Sequence, residues 1–234
     1  MSVSGATAIV LAGGLGTRLR AAVADRPKCL APVGNTTFLA LQLELLAERG
    51  VQRFVLALGH RAAQVLRAIE PLCERHAIEP VVETEPLGTG GAVLNAMDAT
   101  ELDECLIANG DTWLDADLDA LLRPLAVDDD ERVRIGCVLV ADRGRYGGIV
   151  VGEHGRIAGF EPKGAHGVGL INAGLYRLHR HAFDERAVGS AFSLESDVLP
   201  HLVAEGCVTA VPLEGTFIDI GVPEDYRRFC ELQG

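Results

Sequence analysis

The first candidate for chemistry is a glycine-rich segment near the N-terminus, residues 11–18, with the sequence LAGGLGTR. It follows an apolar run that is typical of a buried parallel strand. Gly13, Gly14 and Gly16 would let backbone N–H groups approach phosphate oxygens closely, and Arg18 adds a permanently charged donor fork. The segment lacks the Gly-Lys-Ser/Thr of a Walker A loop and the third glycine of the dinucleotide fingerprint. A phosphate-binding turn is favoured, and a plain strand-to-helix turn with a surface arginine is the alternative.

Charged residues in three later segments could act together with this turn. Lys28 stands between Pro27 and Pro32, which stiffen the chain, and its ammonium would serve as a point charge on phosphate. Asp111 follows a predicted buried strand, and Asp219 lies in a short apolar segment. Ligands bind at the carboxyl ends of parallel strands, and Mg²⁺ takes one or two protein carboxylates. Considered alone, Lys28 is more simply explained as a surface lysine, and Asp111 and Asp219 as carboxylates in turns.

The glycine-rich turn and the charged residues must be positioned by secondary structure. Short apolar strands and amphipathic helices are predicted to alternate up to about residue 125. Strands are expected at 6–12, 53–58, 80–83 and 105–108, and helices at 38–48, 62–72 and 90–97. This order predicts an α/β fold with a Rossmann-like, mostly parallel sheet and helices on both faces. The later chain is richer in strands, expected at 133–140, 170–178, 208–212 and 217–220, with a hairpin of 146–151 and 156–161 and helices at 193–205 and 223–232. The acidic run 128–131 is expected to be a solvated loop.

Composition and charge restrict the partners of the chain. Its 234 residues include 21 Lys and Arg against 33 Asp and Glu, a formal charge of −12 that is unlike that of nucleic-acid binders. No apolar run is long enough to span a membrane, and the first residues do not resemble a secretory signal. The 6 cysteines stand singly, without metal or redox spacing. We therefore expect a cytoplasmic protein with neither nucleic-acid nor membrane partners.

The ordered motifs of the chain resemble those of the sugar nucleotidyltransferases, which join a nucleoside triphosphate to a sugar 1-phosphate. The matching segments run from residue 6 to about 230 and are LAGGLGTRLR, PKCLAPV, EPLGTGG, NGD, FEPK, NAGLY and FIDIG. The resemblance implies one domain of the nucleotidyltransferase (GT-A-like) type across residues 1–234. Residues of about 1–125 would bind the nucleotide, and a small β-rich part of about 126–234 would bind the sugar phosphate.

Within the family, three segments carry a finer resemblance. Residues 145–147, 192–195 and 217–226 are most similar to guanylyltransferases acting on D-glycero-α-D-manno-heptose 1-phosphate. Mannose 1-phosphate guanylyltransferases and N-acetylmuramate 1-phosphate uridylyltransferases are the alternatives within the class. A catalytically silent nucleotide-sugar sensor is the alternative from another class. The family also allows a homo-oligomer.

The resemblance implies a set of site residues and a Mg²⁺ cofactor held by Asp111 and Asp219. The implied catalytic residues are Arg18, Lys28, Asp111, Lys163 and Asp219. The implied nucleotide-binding residues are Leu11, Ala12, Gly13, Gly14, Gly16, Thr17, Arg18, Glu83, Glu85, Gly88 and Thr89. The implied sugar-binding residues are Tyr146, Gly147, Glu161, Lys163 and Asn172.

The base of the nucleoside triphosphate is the least determined of these expectations. Guanine presents N1–H and N2–H₂ donors, so GTP suits a carboxylate acceptor. Glu83 and Glu85 both precede the GTGG segment, and the sequence does not choose between them. Cys29, inside the PKCLAPV segment, is expected to pack, with sensitivity to thiol reagents as a further hypothesis.

Overall fold

The computed structural model describes residues 6–14 and 26–234. Its strands are β1 (Ala6–Leu11), β2 (Pro32–Val33), β3 (Thr36–Thr37), β4 (Val51–Leu58), β5 (Ala77–Val82), β6 (Glu104–Asn109), β7 (Thr112–Ala116), β8 (Val133–Val140), β9 (Gly148–Val151), β10 (Ile157–Glu161), β11 (Gly169–His179), β12 (Val208–Pro212) and β13 (Gly215–Asp219). Its α-helices are α1 (Phe38–Glu48), α2 (Ala62–Ile69), α3 (Gly88–Ala99), α4 (Asp119–Leu122), α5 (Leu199–Ala204) and α6 (Pro223–Gln233). None of these helices has the length and apolar character needed to cross a bilayer.

A seven-stranded sheet in the order β12-β8-β11-β6-β1-β4-β5 forms the centre of the described chain. The pairs β1–β4, β1–β6, β4–β5 and β12–β8 are parallel, whereas β11 runs antiparallel to both of its neighbours. Smaller antiparallel sheets form from β9 with β10, from β7 with β13 and from β2 with β3. The predicted mostly parallel α/β fold with a small β-rich part is confirmed.

Alternation along the strands divides the core between the two faces of the sheet. In β1, Ala8 and Val10 pack toward α1 and α2, whereas Ile9 packs toward α3 and the 192–202 segment. A third cluster forms around the rings of Phe38, Trp113 and Phe229, which lie 5.0–6.4 Å apart between centroids. These clusters hold the carboxyl ends of β1, β4 and β6 at one edge, where Leu11 pairs with Ala57 and Asn109.

Besides the short elements β2, β3 and α4, which were not predicted, three parts of the fold differ from the sequence-based expectation. Strand β7 was not predicted, because only its long-range pairing with β13 reveals it. The predicted helix 193–205 begins as a single π-helical turn, Leu194–Val198, and continues as α5, which has Pro200 in its first turn. The 128–131 run is not wholly solvated: Glu131 is buried, with its carboxylate 2.6 Å from the guanidinium of Arg134.

Candidate active site

A pocket of about 420 Å³ opens at the carboxyl ends of β1, β4 and β6. Its walls are formed by Leu11, Ala12, Gly13, Gly14, Lys28, Cys29, Ala57, Glu83, Pro86, Gly88, Thr89, Ala92, Asn109, Gly110, Asp111 and Gly221. This is the edge at which open α/β sheets bind ligands. Most of the described residues expected to bind the nucleotide line it, whereas Gly16, Thr17 and Arg18 lie outside the described residues.

Close backbone approaches shape the floor of the pocket. A Cβ on Gly13 would lie 2.9 Å from the backbone nitrogen of Gly59, at the end of β4. A Cβ on Gly110 would overlap the carbonyl oxygen of Leu11, to which the Gly110 N–H donates at 3.1 Å. Glycine at these positions therefore lets the chain segments after β1, β4 and β6 meet without a side chain between them.

Lys28, Asp111 and Asp219 meet at one side of this pocket. The Lys28 ammonium lies 2.6 Å from Oδ2 of Asp111 and 3.9 Å from Oδ1 of Asp219. The Ile220 N–H donates to the Asp111 carbonyl at 3.0 Å, which ties the end of β13 to the turn after β6. The Gly221 N–H donates to Oδ1 of Asp219 at 2.7 Å. Three residues that are distant in sequence therefore form one compact charged group.

The donor chemistry of this group fits Mg²⁺. Asp111 and Asp219 both reach the same Lys28 ammonium, so their carboxylates lie near each other, and two carboxylates against one ammonium leave net negative charge for a further cation. Within the described part of the chain, no cluster of three or more His, Cys, Asp or Glu side chains could hold a metal. Mg²⁺ needs no such cluster, because it commonly takes one or two carboxylates and completes its shell with water and phosphate oxygens.

Gln42 supports the turn that carries Asp111, and the sequence analysis missed it. Its side chain is buried in α1, and Nε2 donates to the carbonyls of Asn109 and Thr112, both at 2.8 Å. These two carbonyls flank Asp111, so Gln42 holds the turn from both sides. The available signal was a polar residue in the otherwise apolar stripe of α1, since buried amides require partners.

Glu83 and Glu85 lie in different environments. Glu83 follows β5, lines the pocket and accepts from the Leu87 N–H at 3.2 Å. Burial raises its pKa above the usual range of a glutamate, and the hydrogen bond from Leu87 opposes only part of that shift. A Cβ on Gly59 would overlap the Glu83 carboxylate, so glycine at that position leaves room for it. Glu85 is exposed and does not line the pocket.

The GTGG segment forms the N-terminus of α3 and packs against residues 190–194. The N–H groups of Gly90 and Gly91 donate to the Phe192 carbonyl at 3.0 and 3.2 Å. Gly88 has φ +70°, and a Cβ there would lie 2.5 Å from the same carbonyl oxygen. The Thr89 hydroxyl donates to Glu195 at 2.6 Å and accepts from the Leu194 N–H at 2.9 Å. Gly88 and Thr89 line the pocket, so the N-terminal end of α3 faces it.

None of the residues expected to bind sugar lines this pocket. The Tyr146 ring contacts Phe217 at 5.6 Å between centroids, and burial raises the pKa of its hydroxyl. Gly147 has φ +82° and packs against the Glu161 carbonyl oxygen, 2.7 Å from its ideal Cβ. The Glu161 carboxylate forms an ion pair with Arg143.

Lys163 and Asn172 complete the expected sugar-binding set. Lys163 is exposed. Asn172, in β11, donates from Nδ2 to the Tyr176 hydroxyl at 2.8 Å and accepts from the Gly174 N–H at 2.8 Å. Gly174 is close to the pocket, because its ideal Cβ position lies 3.1 Å from Nδ2 of Asn109, a lining residue.

Cys29 lines the pocket but is poorly suited to react with thiol reagents. Its side chain is buried, and burial raises the pKa of its thiol to about 12. The nucleophile in thiol chemistry is the thiolate, and burial disfavours that form here. The structure therefore argues for the packing role of Cys29 and against the hypothesis of reagent sensitivity.

Comparison with known proteins places the chain in a family. The Nucleotidyl transferase family model matches residues 7–232. The chain is 34% identical over 225 residues to D-glycero-alpha-D-manno-heptose 1-phosphate guanylyltransferase of Campylobacter jejuni, a match that covers 95% of this chain and 97% of the relative. It is 32% identical over 235 residues to the protein of the same name from Aneurinibacillus thermoaerophilus, covering 94% and 95% of the two chains.

Solved structures agree with this relationship. The fold matches the crystal structure of HddC from Yersinia pseudotuberculosis with a TM-score of 0.85 and 33% identity, covering 98% of this chain and 100% of that one. A structure of HddC complexed with GMP-PN matches with a TM-score of 0.84, at 33% identity and the same coverage. These relatives therefore share the fold that contains the glycine-lined pocket and the charged group of Lys28, Asp111 and Asp219. The chain belongs to the nucleotidyl transferase family.

Proposed function

We propose that this chain joins GTP and D-glycero-α-D-manno-heptose 1-phosphate to give GDP-heptose and pyrophosphate. The observation that carries the proposal is the convergence of Lys28, Asp111 and Asp219 at the side of a pocket that is also lined by Glu83 and by the N-terminus of α3. This arrangement suits a reaction at a phosphate whose nucleoside is held by the same pocket. Relatives of almost equal length bear the name of the heptose 1-phosphate enzyme, and HddC was solved with GMP-PN.

The proposed reaction is a direct transfer at the α-phosphorus of GTP. An oxygen of the sugar phosphate forms a bond to that phosphorus, and the bond from it to the oxygen bridging the β-phosphorus breaks. The electron pair of that bond leaves with pyrophosphate. The attacking oxygen is already anionic, so no protein base is required. The task of the chain is to position two anions and offset their repulsion.

The residues would divide this task by their charge and place. The backbone of residues 11–14 and the Arg18 guanidinium would hold the triphosphate, while Lys28 and Lys163 would hold phosphates near the point of attack. Asp111 and Asp219 would hold Mg²⁺, which when bound would neutralise charge that develops on the α-phosphate. Most of the pocket comes from the first part of the chain, the proposed nucleotide half, but Gly221 comes from the second, as does Asp219, which reaches the lining residue Lys28.

Of the two candidate glutamates, Glu83 is the one that we propose contacts guanine. It lines the pocket beside Gly88 and Thr89, whereas Glu85 is exposed outside it. A carboxylate can accept from both N1–H and N2–H₂ of guanine, while uracil offers one such donor at N3. The same reasoning makes mannose 1-phosphate guanylyl transfer the nearest alternative, because the base would be unchanged.

Glu83→Gln is expected to raise the KM for GTP by about 10- to 100-fold, because the amide replaces one acceptor with a donor and charge-assisted bonds are about twice as strong as neutral ones. The kcat should change less, since the base lies away from the reacting phosphorus. Initial rates over a GTP concentration series would measure both. Glu85→Gln is the matched control, with KM within about twofold of the wild type. Equal effects of the two variants would contradict the assignment.

The proposed function is tested by pyrophosphate release over a grid of substrates. GTP, UTP, ATP and dTTP would each be combined with the 1-phosphates of heptose, mannose and N-acetylmuramate, with Mg²⁺ or with EDTA. Release with GTP and heptose 1-phosphate alone, lost in EDTA, is expected. Preference for mannose 1-phosphate or for UTP would overturn the substrate assignment. Binding without turnover in every combination would favour a silent nucleotide-sugar sensor.

A further inference from the structure

The side chain of Glu195 lies between the nucleotide-side helix α3 and the sugar-side strand β11. Its Oε2 accepts from the hydroxyls of Thr89 at 2.6 Å and Ser193 at 3.2 Å. Its Oε1 accepts from the Tyr176 hydroxyl at 3.4 Å, the longest of the three. Hydroxyl donors from three separate segments thus meet on one carboxylate.

On the sugar side, hydrogen bonds run from Asn172 to Tyr176 and from Tyr176 to Glu195; we call these the sugar-side branch. A backbone N–H group determines the direction in which they donate. The Gly174 N–H donates to Oδ1 of Asn172, so the amide must turn Nδ2 toward the Tyr176 oxygen, 2.8 Å away. Because that oxygen accepts from Asn172, its own hydrogen is free to point to Glu195. Tyr176 is 1% exposed, and burial raises the pKa of its hydroxyl, so the group stays protonated and has little access to water.

On the nucleotide side, hydrogen bonds run from Leu194 to Thr89 and from Thr89 to Glu195; this nucleotide-side branch also has a fixed direction of donation. The Leu194 N–H donates to Oγ1 of Thr89 at 2.9 Å, which leaves the Thr89 hydrogen for Glu195. Thr89 is the second residue of α3 and lines the pocket. A ligand that contacts this helix terminus would therefore act on a residue whose side chain is hydrogen-bonded to Glu195.

We infer that Glu195 is a positioning residue that couples the two substrate sites, so that nucleotide bound at Thr89 strengthens sugar-phosphate binding near Asn172, and the reverse. The inference rests on the proposed function, which supplies the two substrates. Connected hydrogen bonds in a partly buried network restrict one another, so ordering one end lowers the entropic cost of ordering the other. Such coupling is reciprocal and is typically about 5- to 150-fold in affinity.

The test measures this coupling directly, as the ratio of the dissociation constants of α,β-methylene GTP without and with saturating heptose 1-phosphate. Calorimetry on the full chain with Mg²⁺ gives both constants, because the methylene group blocks transfer. The wild type is expected to give a ratio of at least about 5. Glu195→Gln should bring it close to 1, since the new amide sets its hydrogens against a hydroxyl donor on one side and so breaks the polarity of the network.

Matched variants separate coupling from simple loss of structure. Tyr176→Phe removes the bond from Tyr176 to Glu195 together with the Tyr176 contact to Asn109. Thr89→Val removes the bonds of the Thr89 hydroxyl to Glu195 and Leu194, and each variant should also lower the ratio. Thr89→Ser keeps the hydroxyl and should restore it. Ser196→Ala, an exposed position in the same segment, is the control. Thermal unfolding of each variant would show whether the fold is retained.

Two results would overturn the inference. One is a wild-type ratio near 1, and the other is a Glu195→Gln ratio equal to that of the wild type. Initial rates with GTP and heptose 1-phosphate distinguish either result from failure of the proposed function. If the wild type turns over but shows no coupling, the role of Glu195 is wrong and the activity stands. If neither turnover nor binding of the pair occurs, the proposed function itself is wrong.

Discussion

Asp111→Asn is expected to lower kcat for pyrophosphate release from GTP and heptose 1-phosphate by about 10²–10³-fold, the loss typical of one preorganised charged contact at a reacting centre. The substitution keeps the size of the side chain and removes its charge. Asp111 contacts the Lys28 ammonium and lines the pocket, so the loss would fall on the group that handles the phosphates. Titration of Mg²⁺ should also show that the variant needs a higher concentration for its residual activity.

Asp115→Asn is the matched control for this change. Asp115 lies in β7, four residues further along the chain, where it pairs with Arg49 away from the pocket. Its replacement should leave kcat within about twofold of the wild type, because exposed ion pairs contribute little. Similar rates in Asp111→Asn and Asp115→Asn would contradict the proposed role of Asp111.

Lys28→Met is expected to lower kcat/KM by a similar factor of about 10²–10³. Methionine keeps much of the length of the side chain but removes the cation shared by Asp111 and Asp219. The two carboxylates would then face the incoming phosphates without that positive charge, and the repulsion between substrate and site would increase. Pyrophosphate release measured over both substrate concentrations would give the loss.

Two further variants make the Lys28 result specific. Arg53→Met removes a cation that pairs with Glu79 on the surface, and it should be close to the wild type. Lys28→Arg should not fully restore activity, because a planar, larger guanidinium cannot reproduce the compact ammonium that contacts both Asp111 and Asp219. A Lys28→Met enzyme that keeps more than a third of wild-type kcat/KM would refute the electrostatic role.

Local patterns predicted most of the fold. Helix α1 spans the predicted residues 38–48 because a wide apolar stripe precedes Gly50, whose φ of +102° is suited to a helix end. Strand β8 likewise has its predicted bounds, 133–140, as a continuous apolar run. Strand β7 was missed because its stability depends on pairing with β13, about a hundred residues later, and no local signal reports that contact.

The sequence predicted which residues belong to the candidate site, but it did not predict most of the contacts between them. Motifs singled out Lys28, Asp111 and Asp219, but their approach within 4 Å depends on how β6 and β13 are brought together by the fold. Of the GTGG glycines, only Gly88 was expected in the nucleotide site, whereas the structure shows that Gly88, Gly90 and Gly91 all let residues 190–194 pack on α3. The contacts of Gln42 with the 109–112 turn and of Glu195 with Thr89 are long-range and could not be predicted from spacing.

The most direct test of the account is isotope transfer from heptose 1-phosphate labelled with ¹⁸O at the non-bridging oxygens of its phosphate. Mass spectrometry would follow the label after incubation with GTP, Mg²⁺ and the enzyme. Attack by the sugar phosphate on the α-phosphorus predicts that GDP-heptose carries all of the label and pyrophosphate carries none. Label in pyrophosphate, or no GDP-heptose at all, would contradict the account.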